Sequence, residues 1–126
     1  MNFHDRKAIY LQIVDYFYDN ILRKKMLPGD RIPSVRELAQ QAEVTPNTVM
    51  RAYTHMQERG VIFNKRGIGY FISDDAFEIA KKIKQEEFMK EEAPIFFKQM
   101  EALGLNMNDI QKLYNQLKTS ENEKNQ

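Results

Sequence analysis

No cysteine occurs among the 126 residues. That excludes disulfides and cysteine-based zinc sites, and it fits a reducing compartment. No apolar run approaches the roughly 18 residues of a membrane span, and the N-terminus lacks a signal-peptide pattern, so the chain reads as cytoplasmic, with no membrane partner. Histidine is scarce too. His4 and His55 lie far apart, one in a lead-in and one on a helix flank, and neither is read as a metal ligand. No Ser/His/Asp set, cysteine nucleophile or paired carboxylate stands in a recognisable context, so neither an enzymatic activity nor a cofactor is expected. Gly67 and Gly69 are not a dinucleotide fingerprint, because no third glycine opens a helix after them.

Net charge is low as well, at +1, but it is unevenly divided. Residues 1–72 carry eleven Lys/Arg against seven Asp/Glu, a balance of +4; residues 73–126 carry eight against eleven, a balance of −3, which restores the total. The basic half also contains the most informative stretch, Pro28 to Ile72. Ser34 followed by Glu37 is a capping box that starts a helix at Val35, with Val35, Leu38, Ala39 and Ala42 at helical spacing. Val44 is the buried pivot of the next turn, Thr45 an N-cap and Pro46 a first helical residue. The second helix runs to about Arg59 and stops at Gly60.

Two helices joined by so short a turn form a helix-turn-helix, whose second helix lies in the DNA major groove. Stepping 100° per residue puts Val49, Ala52, Tyr53 and Met56 on its packed face and Asn47, Arg51 and Thr54 opposite. Asn and Arg suit bidentate reading of adenine and guanine, while Thr45, Thr48 and the helix N-terminal amides suit phosphate. Val61 to Lys65 and Tyr70 to Ile72 flank Arg66-Gly67-Ile68-Gly69, a hairpin with a basic tip that reaches an adjacent minor groove or its phosphates.

The runs Pro28-Gly29-Asp30-Arg31-Ile32-Pro33-Ser34-Val35-Arg36-Glu37-Leu38-Ala39 and Pro46-Asn47-Thr48-Val49-Met50-Arg51-Ala52-Tyr53 resemble the DNA-binding domain of the GntR family of bacterial transcription regulators, over about residues 7 to 72. The Pro-Asn-Thr-Val form and the short tail are similar to its YtrA subfamily. The resemblance implies that Arg36, Thr45, Asn47, Thr48 and Gly67 lie at or near DNA. It also implies dimerisation through short C-terminal helices and regulation of transporter genes of the ABC type. Met50 stands where many relatives have arginine, which leaves a thymine methyl as its partner. Glu43 replaces a glycine common in the turn and implies a non-glycine conformation there.

The remaining chain frames this unit. Asp5 is a possible cap for a first helix, about Lys7 to Lys25, striped by Ile9, Ile13, Phe17 and Ile21 and widened by Tyr10, Val14 and Leu22. Asp30 to Ile32 forms a short strand beside the wing. Ser73-Asp74-Asp75 starts a further helix, which Pro94 kinks or breaks near Glu92. Asn106 caps a last helix.

The apolar positions Phe77, Ile83, Phe88, Phe96, Met100, Leu103, Ile110, Leu113 and Leu117 need a cover, and a twofold partner supplies it, with a palindromic operator as the consequence. The fold class expected is mainly α with a small β-hairpin: a winged helix-turn-helix at 1–73, a two-helix dimerisation domain at 74–119 and a disordered tail at 120–126. Double-stranded DNA and a second copy of the chain are the expected partners. The tail is too short for a separate ligand domain, so an effector, if one exists, would use the dimer interface or the gap between domains. A winged-helix module that binds protein is the alternative, and the basic excess and Arg36 speak against it. A fragment of a larger regulator with a pyridoxal-phosphate, aminotransferase-like domain is disfavoured by the capped ending after Leu117.

Overall fold

The first helix, α1 (Ile9–Leu22), buries Val14, Phe17, Tyr18 and Ile21. The structure, a computed structural model, describes residues 7–125; the lead-in with Asp5 and His4 lies outside them. A strict step of four drifts about 40° per repeat around a helix. The expected stripe therefore walks off the core, leaving Ile9 56% exposed, and residues three and four apart form the buried face instead.

A compact N-terminal unit extends through Lys84. After α1 come β1 (Arg31–Ile32), α2 (Val35–Ala42), α3 (Pro46–Glu58), β2 (Ile62–Lys65), β3 (Gly69–Ile72) and α4 (Ala76–Glu87). The three strands form an antiparallel sheet in the order β1-β3-β2, with Arg31 and Phe63 both opposite Phe71. The core joins Phe17 of α1, Val49, Ala52, Tyr53 and Met56 of α3, Ile62 and Ile72 of the wing and Ala80 of α4. Tyr53 is its hinge pin. Its ring meets Phe17 and Tyr70 edge-on at centroid distances of 5.8 and 4.9 Å, and its hydroxyl donates to the Pro33 carbonyl. Burial, with Tyr70 and Glu37 nearby, drives the phenol's pKa well upward, so it stays a donor.

Both halves of the α2 capping box are made: the Glu37 N–H donates to Ser34 Oγ at 3.1 Å and the Ser34 N–H to the Glu37 carboxylate at 3.2 Å. The turn after α2 differs from expectation. Glu43 adopts the left-handed conformation, φ 56°, rather than a non-glycine one, because the helix end closes by N–H groups of both Glu43 and Val44 on the Ala39 carbonyl. That closure needs a left-handed residue, and a side chain there costs about 1–2 kcal/mol. Glu43→Gly, which gains more from relief of strain than it loses to chain entropy, is expected to raise stability by about 1 kcal/mol. Urea midpoints at unchanged slope check this.

Asp15 ties the unit together at its far end. Its carboxylate accepts from Lys7 at 2.6 Å and from Lys84 of α4 at 2.7 Å. Burial raises the Asp15 pKa, but the hydrogen bonds and charges of the two lysines outweigh it and leave the carboxyl below its ordinary 3.8. The folded pKa lies below the unfolded one, so this contribution is complete above the usual aspartate range and lost as pH falls through the lower folded value. Asp15→Asn is expected to cost about 1 kcal/mol at neutral pH, kept small by solvent screening, and almost nothing near pH 2. Urea unfolding at the two pH values reads the difference.

The second unit starts at Gln85, not at the expected boundary after residue 73. The reason is that α4 buries Ala76 and Ala80 and packs Phe77 and Ile83 against the N-terminal core, so its first turns belong to the winged helix. Pro94 does not break the chain. A π-helical turn, Phe88–Glu92, leads directly into α5 (Ala93–Ala102), with the Ala93 N–H reaching back to the Phe88 carbonyl. The wider turn accommodates a proline that has no N–H of its own.

The last helix, α6 (Met107–Lys124), opens on an Asn106–Asp109 capping box. It runs past residue 119 through most of the expected tail, since neither Gly nor Pro follows Gly104 to stop it.

Candidate nucleic-acid interface

Thr45 shapes the start of α3. Its Oγ1 accepts from the Thr48 N–H at 3.3 Å and shares a 2.8 Å hydrogen bond with Thr48 Oγ1. One hydroxyl must donate to the other, which leaves a single hydroxyl hydrogen for an outside acceptor. Pro46 has no N–H, and the Asn47 amide has no acceptor among the described residues. This helix end therefore offers an N–H and a hydroxyl where the helix dipole favours an anion.

Around that end Asn47, Met50, Arg51 and Thr54 are exposed, while Val49, Ala52, Tyr53 and Met56 face the core. Met50, Arg51 and Thr54 line one shallow, open hollow with Tyr10, His55 and Glu58. Arg51 forms no ion pair among the described residues; its guanidinium carbon lies 4.1 Å from the centroid of the Tyr10 ring. The same ring meets His55 edge-on at 6.0 Å. Burial, then the Arg59 charge, pushes the His55 pKa below its usual value, so the imidazole is neutral at neutral pH.

Arg36 stands exposed on α2, and Arg66 and Gly67 stand apart at the hairpin turn, which closes through Ile68 N–H to Lys65 O at 2.9 Å. Gly67 takes φ 77°, a value a side chain would strain. An exposed α3 N-terminus beside basic and amide side chains that are unpaired among the described residues, followed by a hairpin with a cationic tip, is the geometry that sets a helix in the major groove. The match that decides the family covers these elements: residues 9–72 fit the bacterial regulatory proteins of the gntR family. The chain belongs to the GntR family.

It is thus a transcription regulator with a DNA-binding winged helix-turn-helix. It is 43% identical over 108 residues to the HTH-type regulator YhcF of Bacillus subtilis, covering 86% of this chain and 88% of YhcF. To the HTH-type repressor YtrA of the same organism it is 44% identical over 68 residues, 54% of this chain and 52% of YtrA. A GntR-family regulator from Bacteroides thetaiotaomicron superposes with a TM-score of 0.75 at 42% identity, over 90% of this chain and 99% of the other. The DNA-binding domain of AraR, solved on its operator ORX1, superposes with a TM-score of 0.53 at 27% identity, over 56% and 84%. These relatives are regulators rather than enzymes, and no described helix of this GntR-family chain is long and apolar enough to cross a membrane.

The residues expected at a dimer contact fall into two groups. Phe77 and Ile83 are half-buried against the N-terminal core, and Met100 is buried within the single chain. Phe88, Phe96, Leu103, Leu113 and Leu117 are exposed, and Ile110 is half-exposed. Sequence reasoning gave Tyr10 only a place in the α1 stripe. Nothing in helical spacing ties residue 10 to residue 51, so its contact with Arg51 is visible only once α1 packs on α3.

Proposed function

We propose that this regulator is a homodimeric repressor that binds a palindromic operator, with α3 in the major groove and the wing beside it. Arg36, Thr45, Asn47, Thr48, Met50, Arg51, Arg66 and Gly67 are the DNA-facing residues of that reading. One observation carries it: an exposed α3 N-terminus whose Asn47 N–H and one threonine hydroxyl have no acceptor among the described residues. Repression follows the name of YtrA, and regulation of ABC-type transporter genes follows only from the resemblance to the YtrA subfamily. Dimerisation rests on Phe88, Phe96, Leu103, Leu113 and Leu117, large apolar side chains that the single chain leaves in water.

The test is titration of the protein against a fluorescent duplex from its own upstream region, at two salt concentrations and with excess unlabelled random DNA. Tight, salt-sensitive binding that random DNA fails to displace supports the reading. Weak binding that random DNA displaces equally well, there and on duplexes tiled across neighbouring genes, favours the protein-interaction module.

A further inference from the structure

Arg51 is held in a way that DNA reading alone does not require. Its guanidinium is planar, with two flat faces and five N–H donors around its edge. Its central carbon lies over the Tyr10 ring, 4.1 Å from the centroid, and its N–H groups meet no carboxylate among the described residues although Glu58 lines the same hollow. Tyr10 is itself fixed by the packing of α1 on α3 and by its edge contact with His55 at 6.0 Å and 64°.

We infer that Tyr10 is a positioning residue for DNA recognition, its ring fixing the Arg51 plate so that the N–H edge projects from α3 toward base or phosphate oxygens. The inference rests on the DNA-binding reading above. An arginine on a free stem must order several torsions when it binds, whereas one already stacked has that ordering done before DNA arrives. Stacking leaves the donors unused, which an ion pair would not. A lysine in place of Arg51 would keep the charge and lose both the stacking face and the two-pronged edge.

The experiment is a double-mutant cycle on the full chain, with a duplex that the wild type selects from random-sequence DNA. Failure of the wild type to select any site would overturn the DNA-binding reading itself, and this inference with it. Given a selected site, Tyr10→Leu is expected to weaken binding about five- to tenfold, while Tyr10→Phe, which keeps the ring face, stays within about twofold of wild type. In an Arg51→Ala background, Tyr10→Leu is expected to change affinity less than about twofold, because nothing remains to be positioned.

A purely structural Tyr10 would give the same loss in both backgrounds, and that result overturns the inference while leaving DNA recognition intact. Melting curves accompany each variant. If Tyr10→Leu does not fold, Arg51→Lys and Tyr10→Phe decide. The inference expects Arg51→Lys to lose as much preference for the selected duplex over random duplex as Arg51→Ala loses. Retention of that preference by Arg51→Lys, or its loss in Tyr10→Phe, overturns the inference.

Discussion

In the proposed homodimer, replacing Leu113 and Leu117 together by glutamate is expected to leave a monomer and to lower operator affinity about a thousandfold. The two residues are one helical turn apart on α6 and are 51% and 57% exposed in the single chain. Burial of a leucine against a partner is worth about 1.5–3 kcal/mol, and a carboxylate placed in the same apolar contact costs several more. Four such changes across a twofold axis exceed what an ordinary dimer can absorb. Without the partner, the second half-site no longer binds at the millimolar effective concentration that linkage provides, and affinity falls toward that of one half-site. The substitutions leave the helix itself intact, since its Asn106–Asp109 capping box is untouched and both positions are already exposed to water. Analytical ultracentrifugation gives the mass, circular dichroism the helix content, and operator titration the affinity. A double variant that remains a dimer would move the contact off α6.

The second large effect separates base reading from phosphate contact. Asn47→Ala is expected to cost about 1–3 kcal/mol on the preferred operator and to relax the choice at one adenine, because a bidentate amide contact is specific to that base. Arg36→Ala, by contrast, is expected to weaken binding across all sequences and to reduce the magnitude of the log–log salt slope by about one. Both side chains are exposed, and neither has a hydrogen bond or ion pair within the described residues, so loss of folding is a poor explanation for either effect. Titrations over a salt series, on the operator and on single-base variants, distinguish the two. If Asn47→Ala leaves base preference unchanged, Asn47 is not a reader, whatever its effect on affinity.

The winged helix was legible because its signals are local. Ser34 and Glu37, Thr45 and Pro46, and Gly60 each act within one turn of the chain, and the periodicity of Val49, Ala52, Tyr53 and Met56 needs no partner to be read. What escaped was set by tertiary packing. Ile9 carries the right residue type but falls off the buried face as α1 winds. Phe77 and Ile83 sit on an amphipathic helix whose pattern says that it buries a face, without saying against what, and the N-terminal core claims them. Glu43 shows the same limit in the backbone: the hydrogen bonds to the Ala39 carbonyl demand a left-handed residue, and glutamate complies at a cost in strain. The Tyr10–Arg51 contact joins two helices distant in sequence and has no spacing signature at all.

Selection of bound duplexes from random-sequence DNA by the purified 126-residue protein tests the central claim most directly. A dimer with one α3 per half-site should recover an inverted repeat whose half-site centres lie about one helical turn, roughly 34 Å, apart, and Asn47→Ala should recover a degenerate version of it. Recovery of no motif, or of the same motif by wild type and Asn47→Ala, would contradict sequence reading by the α3 face.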